Sequence, residues 1–190
     1  MQTKLGIYAT NKINEDFGTN LSIGKVNLSF LGSIALKEVQ IRDHHKDTLI
    51  FVKKISTSLL SVKKVFNNKL LFDAITIEDA FYFMKTYKGE TTNNMSVFTA
   101  SFRSDTPKDS LDLPFILKAN NVYIQNLDLR ISNDNKEKPL NFSATNIGGN
   151  VQDLDIVGAD VALNTRGLYF RTNQDLKVTS FTTNYKFTKS

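Results

Sequence analysis

The sequence predicts a mainly β protein: a bent, mostly antiparallel sheet built as an array of strand units, with an N-terminal amphipathic α-helix and one short internal helix. Three observations carry this expectation. Apolar residues alternate with polar ones from Leu21 almost to the end of the chain, which is the period of a strand with one buried face. The alternation slips by one residue at several places. Before it begins, apolar residues recur instead at spacings of three and four.

That first segment, residues 1–18, places Leu5, Tyr8, Ala9, Ile13 and Phe17 on one helical stripe, and Gly18 can end the helix. Strand-like pairs and triples then follow: Leu21 and Ile23; Val26, Leu28 and Phe30; Ile34 and Leu36; Val39 and Ile41. The slips fall at Gly24-Lys25, Gly32-Ser33 and Lys37-Glu38. A one-residue slip turns the buried side over, so each should be a bulge, a bend or a hairpin corner.

The pattern returns downstream. "FDAITIEDAFYFMK" carries Phe72, Ile75, Ile77, Phe81 and Phe83, and "FILKANNVYIQNLDLRISND" carries Phe115, Leu117, Val122, Ile124, Leu127, Leu129 and Ile131. A looser version runs through Phe142, Ile147, Leu154, Ile156, Val161 and Leu163, and strand composition continues to Phe187. Two places interrupt it. Strand is expected to about Leu60, followed by a helical turn over 61–66. Met95, Phe98 and Phe102 sit at helical spacing between polar loops, as a short helix would place them. The resulting division is a helix (1–18), a first β segment (19–90), a loop with a short helix (91–113) and a second β segment (114–190).

At 190 residues with 41% hydrophobic content, the chain can bury a real core and is not a disordered tail. The absence of cysteine excludes disulfides, thiol nucleophiles and cysteine-ligated zinc. No apolar run approaches the roughly 18 residues needed to span a bilayer, and "MQTKLGIYAT" lacks the layout of a secretory signal. The formal charge of +5 permits an anionic partner but is mild for this length.

Roughly ten strands at about 4.8 Å would make a sheet near 48 Å wide, whereas a helix of about 15 residues is near 22 Å long. One helix cannot cover that face. The sheet therefore either closes on itself or leaves part of its apolar face open as a groove, and large uncovered apolar patches mark binding surfaces. No edge device beyond Lys186 and Lys189 follows the last strand, which suggests a chain excised from a longer β-rich protein.

Residues with the look of chemistry are few. "IRDHHKDTLIF" holds both histidines, His44 and His45, between Asp43 and Asp47. A tight turn could gather Asp43, His45 and Asp47 around a metal, but neighbours on a strand point to opposite faces, and a polar corner between strands explains the stretch better. No metal, cofactor or catalytic residue is expected. The chain has no Gly-x-Ser-x-Gly, no phosphate-cradling Gly-x-x-x-x-Gly-Lys and no His-Glu-x-x-His. "NIGGN", 146–150, reads as a turn. Asp153 and Asp155 share a strand face without a second clue to glycoside chemistry. Lys53-Lys54 and Lys63-Lys64 lie near Phe51 and Phe66, as in some single-strand nucleic-acid grooves, yet solvated lysines beside core phenylalanines suffice, so no nucleic acid is expected.

The order "QTKLGIYATNKINEDFGTNLSIGKVNLSF", "ALKEVQIRDHHKDTLIFVKKISTSLLSV", "NNKLLFDAITIEDAFYFMKTYKGE", then the "FILKANNVYIQNLDLRISND" unit resembles the N-terminal periplasmic part of TamB-like proteins. These belong to the AsmA-like group of envelope proteins, and the likeness is to the Bacteroidetes type. It covers nearly the whole chain, most specifically Gln2 to Glu90, and is a pattern of strands and corners with no catalytic signature. It implies a taco-like trough with an apolar interior, in a periplasmic protein with an inner-membrane anchor and a C-terminal domain that meets an outer-membrane barrel partner. Such proteins are implicated in moving phospholipid between the membranes and in assembling outer-membrane proteins. On that resemblance this chain is expected to be the trough segment alone, without the anchor or the C-terminal domain. On that expectation phospholipid acyl chains would lie along Phe72, Ile77, Phe83, Phe115, Ile124 and Leu129. The alternative expectation is a spacer or docking domain that pairs partner strands along its free edge.

Overall fold

A computed structural model describes residues 7, 10–11, 13–15, 18–28, 33–59, 69–102, 116–138, 140–158 and 160–188. Among them, eight strands form one open sheet in sequence order: β1 (Asn20–Leu28), β2 (Ser33–Arg42), β3 (Thr48–Leu59), β4 (Lys69–Thr86), β5 (Ile116–Asn133), β6 (Leu140–Val157), β7 (Asp160–Thr172) and β8 (Lys177–Phe187). All neighbours pair antiparallel except β4 and β5, which are parallel. A parallel pair needs a crossover, and the short helix Asn94–Ala100 lies in that connection. Asn93 caps it, its side chain accepting from the Ser96 N–H at 2.8 Å.

Residues 7, 10, 11 and 13–15 are helical, and Gly18 turns left-handed at φ 60 just beyond them. Leu5, Tyr8, Ala9, Phe17, Phe115 and the expected helical turn 61–66 lie outside the described residues. The helix protects the edge of β1: the Asn14 amide donates to Leu21 O and accepts from Leu21 N–H, both at 2.8 Å, as a neighbouring strand would.

Eight long strands replace the ten short ones the pairs and triples suggested, because most slips lie inside strands. Gly24-Lys25 is internal to β1 and Lys37-Glu38 to β2, where Glu38 has φ 54. "NIGGN" is no turn either. It lies within β6, with Asn146 at φ 53 and Gly149 at φ 134. A Cβ on Gly149 would meet Gly167 O and Leu168 Cα at 2.9 Å, so this level of the sheet needs a glycine.

The slips are coordinated. Ile23, Val39, Val52, Ala80, Leu127 and Ile147 form one row of directly opposed residues. Val26, Leu36, Ile55, Ile77, Ile124 and Gly149 form the next. Between these rows the five strands β1 to β5 each hold two residues instead of one, and Glu38, Asp79 and Asn126 take left-handed conformations there. Opposed residues share a face and successive residues alternate. Five strands slipping at one level therefore keep their register and return their apolar residues to the same side. A second level carries the extra residue at 73–74, 120–121 and 152–153, with Asp153 at φ 52. Asp79, Asn126 and Asp153 suit these creases because Asx residues tolerate positive φ.

The consequence is a sheet with one apolar face and a thin core. Its buried members are mostly small: Val26, Val39, Val52 and Ala80 with Ile23 in one cluster, Ala119, Val122 and Val151 with Ile75 in another. Larger residues of that face, among them Phe72, Ile77 and Ile124, are only half-buried against them. The accessible surface is 12068 Å², against roughly 9,000 Å² expected for a compact protein of this mass.

Candidate functional site

The apolar face is the first candidate. Ile77 and Ile124 are direct partners across β4 and β5, Phe72 opposes Ala119, and Leu129 opposes Tyr82, so four of the expected lining residues share it. Phe83 does not. It lies three residues beyond buried Ala80 with no further left-handed residue between, which puts it on the opposite face. Phe83 is instead 6.2 Å from Phe81, ring to ring, and lines a pocket of about 450 Å³ with Lys85, Arg130, Ser132 and Asn141. The slip at Asp79 is the reason. Without it, Phe83 would continue the phase of Ile75 and Ile77.

Burial pushes the Tyr82 hydroxyl up to about 12, and the Tyr185 hydroxyl adds to that push. Tyr82 belongs to β4 and Tyr185 to β8, four places apart in the sheet. On β8 the face presents Phe181, Tyr185 and Phe187, all exposed.

The histidine corner is the second candidate. The β2–β3 turn closes through Asp43 N–H to Asp47 O and Lys46 N–H to Asp43 O, each 2.9 Å, with Lys46 at φ 67. Asp43 is its anchor and is only 2% exposed. One carboxylate oxygen accepts from the backbone N–H groups of His45 and Asp47 at 3.0 Å. The other accepts from the Tyr87 hydroxyl at 2.6 Å and the Asn94 amide at 2.9 Å. Burial alone would raise the Asp43 pKa, but these four bonds outweigh it and hold the carboxyl below its ordinary range. Burial and the carboxylates of Asp43 and Asp47 push the Tyr87 hydroxyl well up in turn.

Asn94 ties this corner to the sheet. Its amide also donates to Phe83 O at 3.0 Å and accepts from Lys85 N–H at 2.9 Å. Asp43 is thus a buried hub, and the grouping Asp43, His45 and Asp47 around an ion is not the one that forms. His44 and His45 sit in a turn rather than on a strand and converge on Glu90: His44 Nε2 is 3.0 Å from one carboxylate oxygen and His45 Nε2 2.6 Å from the other. The missed partner lies 45 and 46 residues away, and no local signal marks it.

The remaining expectations resolve locally. Lys53 pairs with Asp79 at 2.9 Å and Lys54 with Glu78 at 2.6 Å, which neutralises that basic patch, while Lys63, Lys64 and Phe66 lie outside the described residues. Asp155 pairs with Lys118 at 2.8 Å and Asp153 accepts from the Asn164 amide at 3.0 Å, so the two acids serve separate partners. Among the described residues no helix is long and apolar enough to cross a membrane. No protein-family model and no curated protein matches the chain.

Proposed function

We propose that the apolar face of the sheet is a trough for phospholipid acyl chains, in a non-enzymatic segment of a TamB-like, AsmA-like envelope protein. The observation that carries this reading is the pair of apolar rows that crosses the strands in register, with its larger members Leu36, Ile55, Ile77, Ile124 and Leu127 only half-buried. Two further features support it. The larger apolar residues of the face are part-buried rather than sealed, and the upward push that Tyr185 of β8 adds to the Tyr82 hydroxyl of β4 fits a sheet curling β8 towards β4.

The mechanism has no bond-making step. Each acyl methylene removed from water along Phe72, Ile77, Ile124 and Leu129 gains about 0.8 kcal/mol, while head groups remain in water at the open side. A lining of similar aliphatic side chains offers no deep trap, so chains can slide along it. In the parent protein this segment would work in the periplasm, between an inner-membrane anchor and an outer-membrane barrel partner reached through other parts, carrying phospholipid or assisting outer-membrane protein assembly.

Native mass spectrometry of the chain incubated with bacterial phospholipid tests this. Lipid adducts on the wild type, lost in an Ile77→Asp, Ile124→Asp variant that remains folded by circular dichroism, are the expected result. A clean protein mass for the wild type at saturating lipid would sink the proposal. One observation favours a second reading: β8 has no neighbour on its outer side among the described residues, and Phe181 and Phe187 on it are 45% and 46% exposed. A docking domain would pair a partner strand there, and capture of a β-strand peptide without lipid adducts would favour it.

A further inference from the structure

His44, His45 and Glu90 hold their donor atoms within 4.8 Å of one another. The arrangement is built from two separate segments, the β2–β3 turn and the loop after β4, each fixed by bonds that do not involve the three side chains. Asp43 pins the turn through the His45 and Asp47 N–H groups. The Glu90 N–H donates to Tyr87 O at 3.1 Å, and Asn135 clamps the same loop, donating to Glu90 O at 2.7 Å and accepting from the Gly89 N–H at 2.7 Å. The Tyr87 ring lies against His45 at 3.9 Å between centroids, which limits the imidazole's rotation.

The chemistry of the donor set is specific. Two imidazole Nε2 atoms and one carboxylate form the His₂Glu set of zinc sites that keep a fourth position open to water. A single dication satisfies both nitrogens and the carboxylate at once. Ligands at about 2.0–2.2 Å from one tetrahedral ion lie about 3.4 Å from each other. The present N···O separations of 2.6 and 3.0 Å reach that spacing by outward shifts of under about 1 Å, and none of the three side chains is buried. Imidazole with carboxylate and no thiolate favours zinc, nickel or copper over calcium or magnesium.

We propose that His44, His45 and Glu90 bind one divalent transition-metal ion of the zinc class, which staples the β2–β3 turn to the loop after β4. The site is on the histidine corner and does not depend on the lipid reading. The test is calorimetric titration of zinc chloride into tag-free protein stripped with chelator, beside a thermal melt with and without the ion. The expected result is one zinc per chain, a higher melting temperature with zinc and none with magnesium, and an affinity at least about tenfold weaker in His45→Ala and in Glu90→Gln. Glu90→Gln preserves the shape of the loop and is checked for folding by circular dichroism. Absence of saturable binding, or equal binding and equal thermal shift in both variants, would overturn the proposal.

Discussion

Asp79 and Asn126 lie side by side on the parallel strands β4 and β5, both left-handed, with the Asn126 amide donating to the Asp79 carboxylate at 2.8 Å. Six residues earlier the same chemistry recurs, Asn120 donating to Asp73 at 3.0 Å. The Asx pairs mark two creases that cross the sheet, and the creases return the apolar rows of successive strands to one face.

Replacing Asn126 by valine tests the crease. A β-branched residue at φ 64 is strained by about 1–2 kcal/mol, and the bond to Asp79 is lost as well. Asn126→Gly loses the bond alone, which is exposed and of small worth. Urea denaturation should therefore rank wild type at or slightly above Asn126→Gly, and both well above Asn126→Val. Equal midpoints for valine and glycine would contradict a left-handed residue at this level.

Asp43 is the one buried acid among the described residues. Asp43→Ala leaves the buried Asn94 amide, the Tyr87 hydroxyl and two backbone N–H groups without their acceptor, at a cost of about 3 kcal/mol or more. Because the folded state holds the Asp43 carboxyl below its ordinary 3.8, its contribution is fully present above that pH and is lost as pH falls through the lower folded value. Unfolding curves from neutral to acid pH should show this decline in wild type and a flatter one in Asp43→Asn.

Tyr82 offers a readout of the buried face. Its hydroxyl titrates near 12 rather than 10, so the fold favours the neutral phenol. That preference is fully expressed below pH 10 and is lost as pH rises from 10 to 12. Tyrosinate absorbance should show a late-titrating component that Tyr82→Phe removes and Tyr185→Phe shifts down slightly. An unchanged titration in Tyr82→Phe would place that hydroxyl in water.

The fold was legible in part because a period of two survives in single residues: Leu21, Ile23, Ile75, Ile77, Leu127 and Leu129 all lie on the apolar face the pattern assigns. What misled was the double use of Asn, Asp and Gly. The same residues make corners and left-handed bulges, so Asn146 to Asn150 read as a turn while the chain runs on through β6. Strand number and the side taken by Phe83 both follow from that ambiguity. The polar corner between β2 and β3 is legible in the sequence, but Glu90 and Asn94 reach it across 46 and 51 residues, and tertiary pairing of that kind leaves no mark in local spacing.

Lipid in the proposed trough would occupy one face of the sheet and not the other, and adjacent residues on β5 separate the two. Ile124 lies on the apolar face, whereas Tyr123 projects from the opposite one and is 45% exposed. Photoreactive benzoylphenylalanine placed at 124 in one protein and at 123 in another, each illuminated with phospholipid, gives the most direct measurement. A lipid–protein adduct at 124 with little or none at 123 is the predicted result. Equal labelling at both positions, or none at 124, would contradict the trough.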